Sequence, residues 1–263
     1  MPRSIIIILL YLGIFSCTGN QERDLQKYFD AYEVKGSFIL YDEARNEFIR
    51  YNTRRCNEAF SPASTFKIPN TLIALEEKIL QDETSMIYWN GESWPVETWN
   101  QDLDLQHAFR LSCVPCYIQI ASKIPEEKYQ QYLSDIKYGN EDPSGSENNS
   151  FWLDGNLRIN QEQQIDFLRK LYHMQLPVSE RSMKIVKKIL VEEKNDDFIL
   201  SSKTGWNNTS HSKDVGWYVG YLEKDNHVYY FATNIESPQA KESFGKARKE
   251  ITLNVLKALN ITD

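Results

Sequence analysis

The spacing of the apolar residues changes twice along the chain, and this change constrains the fold more than any other feature. Near the N-terminus, strand-like runs at 38–41 and 48–51 flank a polar turn and predict a hairpin. Alternation returns near the C-terminus and predicts three more strands, at residues 198–205, 215–221 and 227–232. Because short turns connect these strands, they are expected to pair antiparallel.

Between the two strand regions, apolar residues recur at helical spacing. A helix is expected after Ser61-Pro62-Ala63, reaching Lys78, and others are expected at 113–124, 126–133, 161–171 and 179–191, with a last helix at 242–258. Residues 138–151 are rich in Gly, Asn, Ser and Asp and predict a long surface loop.

These patterns predict an α/β (α+β) fold in which a central antiparallel sheet is flanked by helices and joined to a mostly helical subdomain. The sheet would be built from about residues 36–60 and 195–263, with a helical insertion at about 61–194. A cleft is then expected at the boundary between the two parts.

The first residues have the form of a signal peptide, predicted to span residues 1–16 and to leave a single domain at 17–263. Arg3 precedes an apolar run from Ile5 to Phe15. Eleven helical residues span only about 16 Å, too short for a hydrocarbon core of about 30 Å. We therefore expect export to the periplasm. The segment ending at Cys17 also resembles a lipoprotein cleavage site, so both simple cleavage and lipidation of Cys17 stay open.

The formal net charge of −7 excludes the electrostatic pattern that nucleic acid or an anionic membrane surface requires. Besides Cys17, the chain has three cysteines, Cys56, Cys113 and Cys116. Their odd number argues against a disulfide framework, and their spacing argues against zinc, so we expect buried thiols. The histidines are scattered singly and predict neither a metal site nor a Ser-His-Asp triad: His107, His173, His211 and His227.

Ser64-Thr65-Phe66-Lys67 matches S-x-x-K and places a hydroxyl and an amine one helical turn apart. A capping serine followed by a surface lysine would produce the same pattern, so the motif alone is weak. Lys203-Thr204-Gly205 matches K-T-G at the end of a predicted strand and is also weak alone. Together, in this order, the two motifs are typical of β-lactamases and penicillin-binding proteins.

Four further segments extend this match, and the chain from about Gly36 resembles the class D, oxacillinase-type β-lactamases. The segments are Ser112-Cys113-Val114-Pro115, Tyr138-Gly139-Asn140, Phe151 to Ile159, and Gly216 to Gly220. The resemblance implies a β-lactamase/transpeptidase-like fold and hydrolysis of penicillin-type antibiotics, with resistance as the consequence.

The resemblance also implies the roles of individual residues. Ser64 would be the nucleophile, and Lys67 would react with CO2 to become N6-carboxylysine, the general base of both half-reactions. Only a neutral, desolvated amine can attack CO2. The indole N–H of Trp152 would hold the carbamate. Apart from CO2 or bicarbonate, no cofactor and no metal is expected.

Ser112 and Lys203 would carry a proton to the leaving lactam nitrogen, and the backbone N–H groups of Ser64 and Trp206 would form the oxyanion hole. Arg248 would bind the substrate carboxylate. The resemblance assigns a larger set to substrate binding: Val114, Trp152, Leu153, Thr204, Gly205, Trp206 and Arg248.

The main alternative is a β-lactam sensor or penicillin-binding protein that acylates without turnover. A serine esterase is disfavoured because no Gly-x-Ser-x-Gly motif surrounds Ser64. The partner expected is a small β-lactam. The sequence leaves open the preferred β-lactam subclass, and whether the protein is a monomer or a homodimer.

Overall fold

A six-stranded antiparallel sheet lies at the centre of the computed structural model, which describes residues 25–208 and 213–262. The strands are β1 (Lys35–Asp42), β2 (Glu47–Tyr51), β5 (Val191–Lys194), β6 (Ile199–Asn207), β7 (Asp214–Lys224) and β8 (His227–Ser237). Their order in the sheet is β2-β1-β8-β7-β6-β5. Strands from both ends of the described chain therefore pair in one sheet. The short strands β3 (Met86–Ile87) and β4 (Leu103–Asp104) form a separate pair.

The helices lie on both faces of this sheet. They are α1 (described over residues 25–30), α2 (Thr53–Cys56), α3 (Lys67–Glu76), α4 (Leu105–Arg110), α5 (Val114–Ala121), α6 (Glu126–Ile136), α7 (Gln161–Tyr172), α8 (Glu180–Leu190) and α9 (Phe244–Ala258). Turns of 3₁₀ helix occupy Ala63–Phe66 and Glu97–Trp99.

The sheet is buried on both faces, as its alternating side chains show. In β1, Ile39 and Tyr41 pack into a core formed with the helical region between β2 and β5. Phe38 and Leu40 point the other way, into a second core shared with α9. Successive side chains of a strand point to opposite faces, so one strand supplies both cores.

The predicted fold class is confirmed, and so is the hairpin of β1 and β2. The polar stretch 138–151 contains no regular helix or strand, as expected for a loop. Strand β5 was not predicted, because Val191–Lys194 is an edge strand with exposed polar side chains and no apolar alternation. Strand β5, like the short strands β3 and β4, therefore lies within the segment expected to be helical insertion.

The expectation that Cys113 and Cys116 are separate thiols is wrong, because they form a disulfide. Their Cα atoms lie 5.4 Å apart, since Cys113 caps the N-terminus of α5 and Cys116 follows within its first turn. That distance is in the range a disulfide requires. The odd count is accommodated because Cys56 remains a buried thiol.

The predicted signal segment, residues 1–16, and Cys17 lie outside the described residues. In the part of the chain that the structure describes, no helix combines the length and apolar character needed to span a membrane.

Candidate active site

Ser64 lies in the 3₁₀ turn Ala63–Phe66, which leads directly into α3. The turn begins with a left-handed residue, since Ala63 has φ of 50°, a conformation that non-glycine residues adopt rarely. The N–H group of Ala63 donates to the carbonyl oxygen of Trp152 at 3.0 Å and helps to hold this conformation. Backbone strain of this kind concentrates at functional sites.

Lys67 is fully buried and its Nζ atom donates to the Oγ atom of Ser64 at 2.9 Å. The ring centroid of Tyr117 lies 5.0 Å from Nζ. Burial, and after it the positive charge of Lys203, hold the pKa of Lys67 well below its usual value. Such surroundings favour the neutral amine, which has a lone pair available for reaction.

Trp152 is fully buried, and its ring stacks on Phe66 with centroids 5.4 Å apart. The Oγ atom of Ser61 donates to the Trp152 carbonyl oxygen at 2.5 Å, which connects the Trp152 loop to the segment just before the turn that carries Ser64. The Nε1 atom of Trp152 has no hydrogen-bond partner among the described residues. A buried indole N–H usually has an acceptor, so this donor is suited to a group that joins the site.

Lys203, on β6, donates from Nζ to the Oγ atom of Ser112 at 3.0 Å. Burial and the charge of Arg248 lower the pKa of Lys203 to about 7, against an opposing effect of Glu192. Ser112 stands between α4 and α5 with φ of 56°, a second left-handed residue of the site. A lysine poised near neutral pH beside a hydroxyl can pass a proton through that hydroxyl.

Strand β6 runs close to the turn that carries Ser64 because of Gly205. A Cβ atom on Gly205 would lie 3.0 Å from the Pro62 carbonyl oxygen and 3.2 Å from Cγ2 of Thr65. Only glycine permits this approach of backbone to backbone without a shift. The same approach brings the backbone of Trp206 towards the turn that carries Ser64.

Arg248, on α9, reaches β6 by donating to the carbonyl oxygen of Gly205, and its Nε atom donates to Gly245 at 3.0 Å. Its guanidinium lies 5.7 Å from the ring centroid of Trp206. Trp206 is 38% exposed and donates from Nε1 to Asp214 at 2.8 Å. This cation and this aromatic ring therefore lie beside the same β6 residue, Gly205.

The remaining sequence-predicted residues occupy the flanking segments. Val114 is the first residue of α5, and Thr204 follows Lys203 on β6; both are half-buried. Leu153 is half-buried in the loop after Trp152, and its carbonyl oxygen accepts from Asn207 at 2.6 Å. The described contacts thus connect Ser64 to Lys67 and Ser112 to Lys203. They also connect the Trp152 loop to the turn that carries Ser64 and to β6.

Sequence reasoning missed Tyr117 and Ser61. The hydroxyl of Tyr117 lies 2.7 Å from that of Thr71, which fixes its ring beside Lys67. The sequence contained a signal for Tyr117, because it lies three residues after the predicted site residue Val114 and so on a similar face of α5. The described residues contain no group of three or more His, Cys, Asp or Glu side chains able to hold a metal ion.

The chain is similar to known proteins over most of its length. The penicillin-binding protein transpeptidase domain family matches residues 15–257. The β-lactamase OXA-48 of Klebsiella pneumoniae is 42% identical, over 90% of this chain and 88% of that protein. The β-lactamase OXA-3 of Pseudomonas aeruginosa is 38% identical, over 92% of this chain and 86% of that protein.

Solved structures give the same relationship. A class D β-lactamase from Sebaldella termitidis superposes with a TM-score of 0.87 at 39% identity, covering 91% of this chain and 97% of that chain. FUS-1 (OXA-85), a class D β-lactamase from Fusobacterium nucleatum subsp. polymorphum, has a TM-score of 0.86 at 35% identity, covering 92% and 99%. Both similarities extend over nearly the full length of the chains compared.

Proposed function

The chain belongs to the class D β-lactamases and hydrolyses β-lactams, with resistance to these antibiotics as the consequence, and we propose that it does so through Ser64 and a carboxylated Lys67. The observation that carries this assignment is a fully buried lysine whose Nζ atom lies 2.9 Å from a serine Oγ atom. Burial favours the neutral form of the amine, and a neutral amine can react with CO2.

The surroundings of Lys67 fit an added carboxylate group. Trp152 contributes a buried N–H donor without an acceptor among the described residues. An indole N–H can only donate, so it suits an anionic oxygen. In its carboxylated form, Lys67 would supply the general base that takes the proton of Ser64 Oγ and later that of the deacylating water.

Acylation would begin with attack of Ser64 Oγ on the lactam carbonyl carbon. The carbonyl oxygen would take up negative charge between the backbone N–H groups of Ser64 and Trp206, which the close approach at Gly205 favours. When the C–N bond breaks, Lys203 would pass a proton through the hydroxyl of Ser112 to the nitrogen. The 3.0 Å contact between these side chains supports that relay.

Arg248 would bind the substrate carboxylate, since a guanidinium presents paired donors to a carboxylate. Its contact with the Gly205 carbonyl oxygen supports this role by positioning it at β6. The other groups proposed to line the substrate site are Val114, Trp152, Leu153, Thr204, Gly205 and Trp206.

We also propose that residues 1–16 direct export and that residues 17–263 form one catalytic domain in the periplasm. The apolar run after Arg3 supports this localisation. Attachment of lipid at Cys17 would hold the domain at a membrane, and cleavage without lipid would release it.

The test is hydrolysis of benzylpenicillin by the purified protein and by Ser64→Ala, followed by intact-mass spectrometry. Many turnovers per molecule, stimulated by bicarbonate and absent in Ser64→Ala, are expected. A single stoichiometric burst that leaves a stable adduct would contradict the proposed deacylation and indicate a sensor or a penicillin-binding protein.

A further inference from the structure

The disulfide between Cys113 and Cys116 lies inside the first turn of α5, directly after Ser112. The Sγ atom of Cys113 accepts the backbone N–H of Cys116 at 3.2 Å and thus acts as the helix cap. This arrangement places a sulfur atom at the positive end of a helix dipole, where a thiolate is stabilised.

The two sulfur-bearing residues differ in access. Cys113 is fully buried, whereas Cys116 is 7% exposed and borders a cavity of about 30 Å³. Trp99, Pro115 and Gln119 line this cavity with it. Cys116 is the more exposed residue of the two, so we expect an external thiolate to attack its sulfur and Cys113 to be the departing sulfur.

We propose that Cys113 and Cys116 form a thiol–disulfide exchange site that reacts with dithiols and controls the catalytic rate through Ser112. The coupling to rate rests on the proposed role of Ser112 and Lys203, whereas the exchange chemistry does not. In the first step a dithiol thiolate attacks the Cys116 sulfur. A bond forms between these two sulfurs, the bond to Cys113 breaks, and its electron pair stays on Cys113 as a thiolate.

The geometry assists that departure, because the Cys116 N–H already points at the Cys113 sulfur. A better-stabilised leaving thiolate accelerates exchange. In the second step the other thiol of the reagent attacks its own sulfur in the mixed disulfide and releases Cys116. The protein disulfide gains two electrons and two protons, and the dithiol is oxidised to its disulfide.

The exchange site acts on catalysis through the backbone. Ser112 has φ of 56° and directly precedes Cys113, and its Oγ atom accepts from Lys203. The disulfide ties Cys113 to the first turn of α5, so it restrains the residue next to Ser112. Strained residues keep their conformation only when their surroundings fix it. Reduction removes that covalent restraint and lets the Ser112 hydroxyl leave its position beside Lys203.

The test uses the full chain in folded form, with dithiothreitol as the dithiol. After incubation, acid precipitation stops exchange, the thiols are alkylated in denaturant, and peptide mapping identifies each cysteine. We expect Cys113 and Cys116 to be alkylated only after dithiothreitol, and Cys56 to be alkylated in both samples. A displacement of about 1 Å can lower a rate about 100-fold, so a smaller displacement of the Ser112 hydroxyl on reduction should lower turnover of benzylpenicillin about 10-fold. Reoxidation should restore it.

Two variants serve as controls. The double variant Cys113→Ala, Cys116→Ala should turn over at the reduced rate and ignore dithiothreitol. Cys56→Ala, which removes the remote buried thiol, should keep the full response. If the double variant does not fold, as judged by circular dichroism, the proposal is tested by the turnover of the unmodified protein alone. That turnover should fall on reduction and return on reoxidation.

Resistance of both cysteines to dithiothreitol in the folded protein would overturn the exchange site. Complete reduction without a change in turnover would overturn its coupling to Ser112. Absence of turnover in both redox states would count against the proposed catalytic roles, and the alkylation pattern would then decide the exchange chemistry by itself.

Discussion

The Nζ atom of Lys67 donates to the Oγ atom of Ser64 across 2.9 Å, at a position where the lysine is fully buried. Burial of an amine is unfavourable when it is charged, so the folded protein favours the neutral form of this one. The same neutrality allows it to accept a proton or to react with CO2. The proposed activation of Ser64 rests on this one buried contact.

Replacement of Lys67 by methionine should remove catalysis while keeping a buried chain of similar length. Loss of a general base typically costs about 100- to 10,000-fold, and we expect a decrease in that range for benzylpenicillin turnover. Lys184→Ala is the matched control, because that lysine is 63% exposed and pairs with Glu180 on the outer face of α8. Turnover of Lys67→Met within a few-fold of the unmodified protein would exclude lysine as the base.

Trp152→Phe should weaken the carboxylated state of Lys67, because it removes the buried N–H donor but retains an aromatic ring beside Phe66. A hydrogen bond to a charged group contributes about 1.5–3 kcal/mol, so the bicarbonate concentration for half-maximal turnover should rise about 10- to 100-fold. Trp89→Phe is the control, since Trp89 is 42% exposed and donates to Glu92 instead. Equal bicarbonate dependence in both variants would argue against a role of the Trp152 indole.

Arg248→Ala should lower kcat/KM for benzylpenicillin about 10- to 100-fold, mainly through KM, because a charged hydrogen-bond donor to the substrate carboxylate is lost. Lys246→Ala removes an exposed positive charge from the same helix and should have little effect. Comparing the two variants distinguishes a specific contact with the substrate carboxylate from a general effect of positive charge on α9. Equal losses in the two variants would indicate that only net charge matters.

Lys203 should make the free energy of unfolding depend on pH. Its pKa is about 7 in the folded protein, and the ordinary value of 10.5 applies when it is unfolded. Between these values the unfolded chain binds more protons, so stability rises with pH. The penalty for burying this charge is complete below about pH 7 and disappears towards pH 10.5.

Urea unfolding at about pH 7.5 and about pH 9.5 measures this effect through the linkage of protons to stability. The unmodified protein should gain more stability over this interval than Lys203→Met, in which the titrating group is absent. The difference between the two proteins removes the contribution of all other titrating side chains. An equal gain in both would mean that Lys203 has an ordinary pKa in the folded state.

The sequence predicted the parts of the molecule that short motifs and regular alternation specify. Ser64 and Lys67 are one helical turn apart, so their spacing allowed the contact that the structure shows. Strands β6, β7 and β8 alternate strongly enough to be predicted in order. The contact between Ser112 and Lys203 required the family resemblance, because 91 residues separate them in the chain.

Other features depend on packing or on local geometry that composition does not contain. Counting cysteines treats all three alike, whereas the helix cap at Cys113 brings only Cys116 within bonding distance. The ring of Tyr117 lies against Lys67 because α3 and α5 pack together. Strand β5 pairs at the sheet edge through its backbone, although its side chains are mostly exposed.

Nuclear magnetic resonance of the protein in ¹³C-labelled bicarbonate tests directly whether Lys67 is carboxylated. Carboxylation of Lys67 predicts a protein-bound carbamate signal that is lost in Lys67→Met and on acidification, with turnover decreasing in parallel. A fully active protein without a carbamate signal, whose turnover is indifferent to removal of bicarbonate, would contradict it.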